Sequence, residues 1–309
     1  MPTSPRSRRK PKIHGRFLDV GIAIRVRRLQ GDGELRSIGG EEHSHDFTEL
    51  ILFEGGSGTH RVDAHDYPVI AGDVFVVQGV QTHALAKCRD LVWTEVHFNA
   101  GRIPLPADQL KGIPGYHALF VLEPGRRRRG WFRGRLQLRP TRLAEAMQIV
   151  AGMDREYQQR RPGYEALLLS QLVELMVFLS REYSRDARGA ARSLLRVGEV
   201  IGLLESEYHR PWRIAELCSA AHMSKSSLMV AFREATGQTP IEYLIHVRLR
   251  HAMDLLRNTG RPVTQIAYHV GFSDSNYFTR KFRQVVGASP SVYRHLRMGL
   301  NAPAMSHAE

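Results

Sequence analysis

The chain has 309 residues, 42% of them hydrophobic, with 27 Gly, 15 Pro and 2 Cys. That length predicts two or three compact units of ~100–200 residues, and that composition excludes general disorder, a collagen-like repeat and a disulfide-stapled mini-protein. The 44 Lys and Arg against 31 Asp and Glu leave a net charge of +13 and point to a polyanionic partner.

The charge is uneven: residues 1–100 are neutral, 101–193 carry 17 basic against 9 acidic groups, and 194–309 carry 14 against 9. No stretch reaches the ~18 consecutive apolar residues of a membrane helix. The basic start, residues 1–12, lacks the apolar core of a signal peptide. A soluble cytoplasmic protein without a membrane partner is expected. Cys88 and Cys218 stand alone, without the spacing of a zinc ribbon or redox pair, and read as buried free thiols.

After a basic N-terminal tail over 1–16, residues 17–140 carry short β-rich runs at 50–53, 67–70, 74–77 and 91–98, broken by Gly, Asp and Asn. Many short strands with such punctuation predict a barrel or sandwich. Within it His43, His45 and Glu49 form a His-x-His-x-x-x-Glu pattern, followed by Gly56, by Gly72-Asp73 and by His83. His43 and His45 share one strand face. Glu49 would stand ~13 Å from His45 in a straight strand, so a shared site requires a bend at Asp46-Phe47-Thr48. Three His and one Glu suit a divalent transition metal. The same four equally suit a pocket that hydrogen-bonds a polyhydroxylated ligand, or a purely structural polar cluster. Trp93, Glu95, His97 and Asn99 alternate along a late strand. There they would either add a stacking surface and polar groups to a pocket or form an exposed polar face. The pattern resembles the two motifs of the cupin barrel, with Gln78 and Val80 where the second motif has Pro and Gly.

Four consecutive arginines, Arg126 to Arg129, are expected in a surface loop, either solvated or contacting a nucleic acid or partner. Residues 141–183 read as two helices joined across Arg161-Pro162-Gly163. Leu143, Ala146, Met147 and Val150 line the first, and Leu168, Leu172, Leu175, Met176 and Leu179 the second. Such stripes pack on an adjoining domain or form a homodimer interface. Residues 184–193, rich in Arg, Ala, Ser and Gly, read as a linker.

In the last third, over 194–297, the chain repeats itself: Phe232, Gly237, Pro240 and Tyr243 recur fifty residues later as Phe282, Gly287, Pro290 and Tyr293. Each copy predicts a helix (214–221; 263–270), a short turn and a second helix (225–235; 275–286), which is helix-turn-helix chemistry. Gly271 suits the positive φ that ends a helix, and Ser or Asp caps the next. Leu228 and Phe232, or Phe278 and Phe282, define a buried face at i and i+4. The opposite face of the second copy offers Ser275, Asn276, Thr279 and Arg280, side chains suited to base edges in a major groove. Pro240 opens a connecting helix that runs to about Asn258, long enough to help hold two reading helices about 34 Å apart, one turn of duplex. Arg248, Arg250, Lys281, Arg283 and Arg294 are expected phosphate contacts or ordinary solvated charges. A C-terminal tail follows over 298–309.

Residues 194–297 resemble the DNA-binding domain of the AraC/XylS family of transcription regulators. The residues that carry the likeness are Ile266-Ala267, Gly271-Phe272-Ser273-Asp274, Tyr277-Phe278, Arg280, Phe282 and Gly287-Ala288-Ser289-Pro290 with Tyr293-Arg294. The run His45-Asp46-Phe47-x-Glu49-Leu50 resembles the sugar-sensing domains of the same family, such as those of L-rhamnose regulators. The resemblance places Ser226, Met229 and Val230 at the base-reading positions of the first copy, where they read methyl groups or mainly position the protein. It implies an α+β chain: an N-terminal cupin-like β-barrel, a helical connector and a C-terminal all-α double helix-turn-helix domain. The function it implies is that of a ligand-responsive, sequence-specific activator of carbohydrate-use genes. Its expected partners are double-stranded DNA, a small sugar, a second copy of the chain and RNA polymerase. Effector contacts fall to His43, His45, Glu49, His83, Trp93, Glu95 and His97, with the first four as ligands if a metal is held. The alternative from the barrel alone is a metal-dependent cupin enzyme, an oxygenase or sugar isomerase. A third reading is a non-specific DNA-bridging protein.

Overall fold

The structure is a computed structural model, and it describes residues 12–13, 23–33, 42–79, 81–129, 132 and 134–300. The chain folds as two compact units, Met1–Gly198 and Glu199–Glu309. The expected N-terminal tail lies outside the described residues except at 12–13, as do 17–22, 34–41, Val80, 130–131 and 133 of the expected barrel, and 301–309 of the expected C-terminal tail.

Among the described residues of the first unit eight strands form one hydrogen-bonded sheet: β1 (Lys12–Ile13), β2 (Ile24–Gly33), β3 (His43–Ser44), β4 (Thr48–Val62), β5 (His65–Ile70), β6 (Asp73–Gln78), β7 (His83–Phe98) and β8 (Leu136–Gln137). All pairs are antiparallel except β1 with β3. β4 and β7 run side by side along their lengths; the other edge of β4 is taken first by β6 and then by β5. Register shifts between Phe53 and Thr59, in the glycine-rich stretch 55–58, bend the β4–β7 pair. Residues from both halves of the bent pair then meet in one core of Ile51, Phe53, Val62, Leu85, Leu91 and Trp93, with Phe75 of β6 among them. This is the cupin-like sheet.

Leu50, Leu52, Val74 and Val76 point away from that core and are buried all the same. Helix α3 (Glu123–Arg129) packs against β6, and α4 (Pro140–Gln159) against β2. The runs 50–53 and 74–77 are therefore apolar without alternation. Gly72, with φ +91°, sits where a Cβ would lie 2.3 Å from the Leu138 carbonyl, and its own carbonyl accepts the Leu138 N–H at 2.8 Å. Only glycine lets the chain just after β8 come this close to β6.

Between β7 and α4 lie α1 (Ala107–Lys111), α2 (Pro114–Tyr116) and a π-helical turn (His117–Leu122) that runs into α3. The arginine run expected in a surface loop lies in α3 instead. Arg127 is wholly buried, ion-paired with Glu123 one turn before it, donating to the Val76 carbonyl at 3.0 Å and standing 4.6 Å over the Phe75 ring. The i, i+4 spacing puts the carboxylate and the guanidinium on one helix face, which a run of like charges conceals.

α4 and α5 (Tyr164–Asp186) form an antiparallel pair through Ala146, Val150 and Met153 against Leu168, Leu172, Leu175 and Leu179. The linker expected over 184–193 is largely absent: α5 runs through Asp186 and α6 (Gly189–Ser206) starts three residues later. Ala191 and Leu194 are buried, and that burial makes the small and basic residues helical where composition alone suggested a loop. The boundary between the units, after Gly198, falls inside α6.

In the second unit follow α7 (Ile214–Ala220), α8 (Lys225–Thr236), α9 (Pro240–Asn258), α10 (Val263–His269), α11 (Ser275–Val286) and α12 (Pro290–Leu300). The sequence repeat is a structural repeat. Phe232 meets Tyr243 at 5.7 Å and 77°, and Phe282 meets Tyr293 at 5.6 Å and 73°. Ser224 caps α8 by accepting the Ser227 N–H, and Asp274 caps α11 by accepting the Asn276 N–H. Gly237 and Gly287 end these two helices in the left-handed conformation. Leu249, Leu256, Ile266, Val270, Phe272, Phe278 and Phe282 build the core of the second copy.

Candidate functional site

In the first unit β3 ends at Ser44, the chain bends at Asp46 and Phe47, and β4 begins at Thr48. The bend brings His45 back onto Glu49. His45 donates from Nδ1 to the Phe47 carbonyl at 2.8 Å, its ring stacks on Phe47 at 4.1 Å, and Nε2 stands 3.0 Å from Glu49 Oε2. His83, at the start of β7, pairs in register with His43; their rings lie 4.3 Å apart, and His83 Nε2 is 3.0 Å from the same carboxylate oxygen. His97, opposite Glu49 across the β4–β7 ladder, donates from Nε2 to Oε1 at 3.0 Å and stands 3.3 Å from Glu95 Oε2. All of these are buried except His43, which is half-buried.

Burial pushes the Glu49 carboxyl up, but His83 and His97 beside it and the hydrogen bond to His45 outweigh that and hold it well below the usual carboxylate range. Burial disfavours the His97 imidazolium, and the Glu49 and Glu95 carboxylates overcome this and raise its pKa to about 9. The donor set fits a divalent transition metal: ligand atoms of His43, Glu49 and His83 lie within 4.8 Å of one another. Since the carbonyl of Phe47 fixes the proton of His45 on Nδ1, a neutral His45 turns a lone pair toward Glu49 Oε2. Two acceptors at 3.0 Å need a proton or a cation between them. His83 Nε2, buried and also 3.0 Å from Glu49 Oε2, adds a third nitrogen to the set.

Trp93 does not offer the stacking surface expected of it. It is 1% exposed, belongs to the sheet core, and its indole donates to Glu95 Oε1 at 2.9 Å, holding that carboxylate toward His97. Asn99 lies past the end of β7 and caps a turn by accepting the Gly101 N–H. Two contributors escaped the sequence. Arg27 of β2 pairs with Glu95 across the ladder, 3.8 Å from its carboxylate, and His60, wholly buried, lies 3.3 Å from His83 Nδ1. The alternation on β2 would have revealed Arg27. His60 is visible only once the shifts in β4 reverse its side-chain parity.

In the second unit, α11 buries Phe278 and Phe282 and exposes Asn276, Arg280 and Arg283 on the opposite side, with Ser275, Thr279 and Lys281 half-buried. On α8, Ser226 and Val230 are exposed and Met229 is half-buried. Arg250 is exposed, 3.9 Å from Glu205. Two expected phosphate contacts are engaged by backbone carbonyls within the fold. Arg248 donates to the carbonyls of Tyr208 at 2.7 Å and Arg210 at 2.8 Å, and burial lowers its pKa. Arg294 donates to the Arg261 carbonyl at 2.5 Å. Cys88 is buried as expected, whereas Cys218 is partly exposed.

Residues 36–197 match the family model of the AraC-like ligand binding domain, and residues 217–295 that of a helix-turn-helix domain. The chain belongs to the AraC family of transcription regulators. It is 30% identical over 256 residues to the HTH-type transcriptional activator RhaR of Escherichia coli K12, covering 82% of this chain and 87% of that one. RhaR of Shigella flexneri gives the same figures. Among solved structures, the DNA-binding domain of AdpA in complex with a target DNA is 27% identical, covering 34% of this chain and 96% of that one, with a TM-score of 0.33. A probable AraC family regulator from Rhodopseudomonas palustris is 31% identical, covering 33% and 96%, with a TM-score of 0.32. This AraC-family chain is thus a ligand-responsive, DNA-binding regulator and not the cupin enzyme that the barrel alone allowed. Among the described residues no helix is long and apolar enough to cross a membrane.

Proposed function

We propose that this regulator senses a small sugar at the Glu49 cluster and, as a homodimer that contacts RNA polymerase, activates promoters read by α8 and α11. RhaR, whose match covers 82% of the chain, is itself named an activator. What most supports the sensor role is Glu49, a 3%-exposed carboxylate whose two oxygens face the nitrogens of His45, His83 and His97. Carboxylates accept and imidazoles donate or accept, so neighbouring hydroxyls of a sugar satisfy both at once. Calorimetric titration of the full chain with pentoses, hexoses and 6-deoxyhexoses tests this. One class should bind, and Glu49→Gln should weaken it at least about tenfold, ~1.4 kcal/mol. Absence of binding by every sugar moves the effector to another chemical class.

The ligand atoms of His43, Glu49 and His83, all within 4.8 Å of one another, favour a second component: a divalent metal held by His43, His45, Glu49 and His83. Such an ion would orient and polarise a ligand's hydroxyls. Elemental analysis of the purified protein should find the metal, and His83→Ala should lose it; sugar binding undiminished by chelation would leave the pocket to hydrogen bonds alone.

For DNA, the 19 residues of α9 span about 28 Å at 1.5 Å per residue, consistent with reading helices set one duplex turn apart. Arg280 and Asn276 would read base edges while Arg250, Lys281 and Arg283 neutralise phosphates.

A further inference from the structure

The repeat sets α8 and α11 in one register: fifty residues carry Phe232 onto Phe282, Met229 onto Thr279, Ser226 onto Asn276 and Val230 onto Arg280. Phe232 and Phe282 are both fully buried, and the residues two places before them both point to solvent. Whatever Arg280 faces in the second unit, Val230 faces in the first. Yet the chemistry is opposite. Arg280 presents a guanidinium, and Val230 an isopropyl group that is 59% exposed, the most exposed of the large hydrophobic side chains among the described residues.

The polar side chains beside Val230 do not replace a base reader. The Ser224 hydroxyl lies 3.2 Å from that of Ser226 and 2.8 Å from that of Ser227, so these serines are tied into the cap of α8. Met229 is half-buried and adds only apolar surface, while the exposed cations Lys225 and Arg233 flank the position along the helix. Flanking cations suit phosphates. The floor of the major groove offers one apolar group, the C5 methyl of thymine.

We propose that Val230 is the specificity residue of the first unit and reads a thymine methyl. The two half-sites of the operator then differ in kind, a T·A pair facing α8 and a G·C pair facing Arg280 of α11. This rests on the reading that both helices enter major grooves.

The full chain is first used to enrich duplexes from a randomised library. Each thymine of an enriched duplex is then replaced singly by uracil, which removes the methyl and nothing else, and afterwards by 5-methylcytosine paired with guanine, which keeps it. For the wild type, one uracil in the half-site away from Arg280 should weaken binding about fourfold, one methyl group's burial. 5-Methylcytosine should bind better than cytosine at that position. Val230→Ala should bind the thymine and uracil duplexes equally, and Val230→Ile should keep the preference, with thermal melts confirming that both variants fold. The inference is overturned if every uracil affects wild type and Val230→Ala alike. It is also overturned if Val230→Ala leaves DNA preference intact while lowering transcription, which would assign the valine to a protein partner. Failure to enrich any sequence overturns the DNA reading and this inference with it; enrichment in which only the Arg280 half-site is specified overturns this inference alone.

Discussion

Glu49 stays charged in a buried place because three imidazole nitrogens stand 3.0 Å from its two oxygens, and each nitrogen is aimed by a different local device. A backbone carbonyl inside the bend fixes His45, strand register fixes His83, and a cross-strand ladder position fixes His97. Arg280 is the contrasting case, an exposed guanidinium 5.4 Å from the Tyr277 ring, which the proposed reading directs at a base edge. Arg280→Ala should weaken specific DNA binding by ~1–3 kcal/mol and relax preference at one base pair, as loss of a bidentate base contact requires. Binding isotherms on an enriched duplex and its single-base variants decide this. A uniform loss on all sequences would falsify the base-reading role.

At the scale of elements, the two helix-turn-helix copies solve one turn with different residues. His222 and Gly271, 49 apart, both take a left-handed φ, +48° and +96°. A Cβ at Gly271 would lie 2.5 Å from the His209 carbonyl oxygen, so glycine is needed there both for φ and for space. Gly271→Ala should cost about 2 kcal/mol or more, whereas His222→Gly should stay within about 1 kcal/mol of the parent, since it trades relieved strain for chain entropy. Denaturant unfolding of the full chain measures both. The capping box of α9 carries a pH signature. Hydrogen bonds from the Thr239 N–H and hydroxyl hold the Glu242 carboxyl below its usual range. A lowered folded pKa gives stability that is present above the unfolded carboxylate value and lost as pH falls through the folded one. Glu242→Gln keeps an acceptor without the charge. The melting-temperature gap between wild type and this variant should therefore close on acidification below about pH 4, and a gap that persists at low pH would remove the charge from the account.

At the scale of the molecule, control by an effector is a linkage between two sites. An effector that binds both conformations equally shifts nothing, so under the proposed activating role it must favour the DNA-competent state. Reciprocity then holds: if the effector raises affinity for an enriched duplex by some factor, typically about 5- to 150-fold, that duplex must raise effector affinity by the same factor. Titrating each ligand with and without the other checks this, and unequal factors would mean that a further equilibrium, such as dimerisation, carries part of the coupling. The net charge of +13 does little here, since the DNA-reading unit carries only a modest share of it.

The second half of the chain was legible because its determinants are local. Helix periodicity, caps and a fifty-residue repeat with paired Phe and Tyr are written in neighbouring residues, and the helices form where those signals place them. The His-x-His-x-x-x-Glu pattern likewise announced both a cluster and the bend it needs. Other assignments depended on what covers what. Trp93, Glu95 and His97 share a strand face in sequence, but the wrapping of β4 and β7 puts the indole in the core and the other two at the cluster. Shifts of register turn His60 inward, a buried carboxylate one turn away draws Arg127 out of an apparently solvated run, and two backbone carbonyls claim Arg248. Period and composition describe a residue's own element; burial and partner choice belong to elements far away in sequence, and only the tertiary structure brings those together.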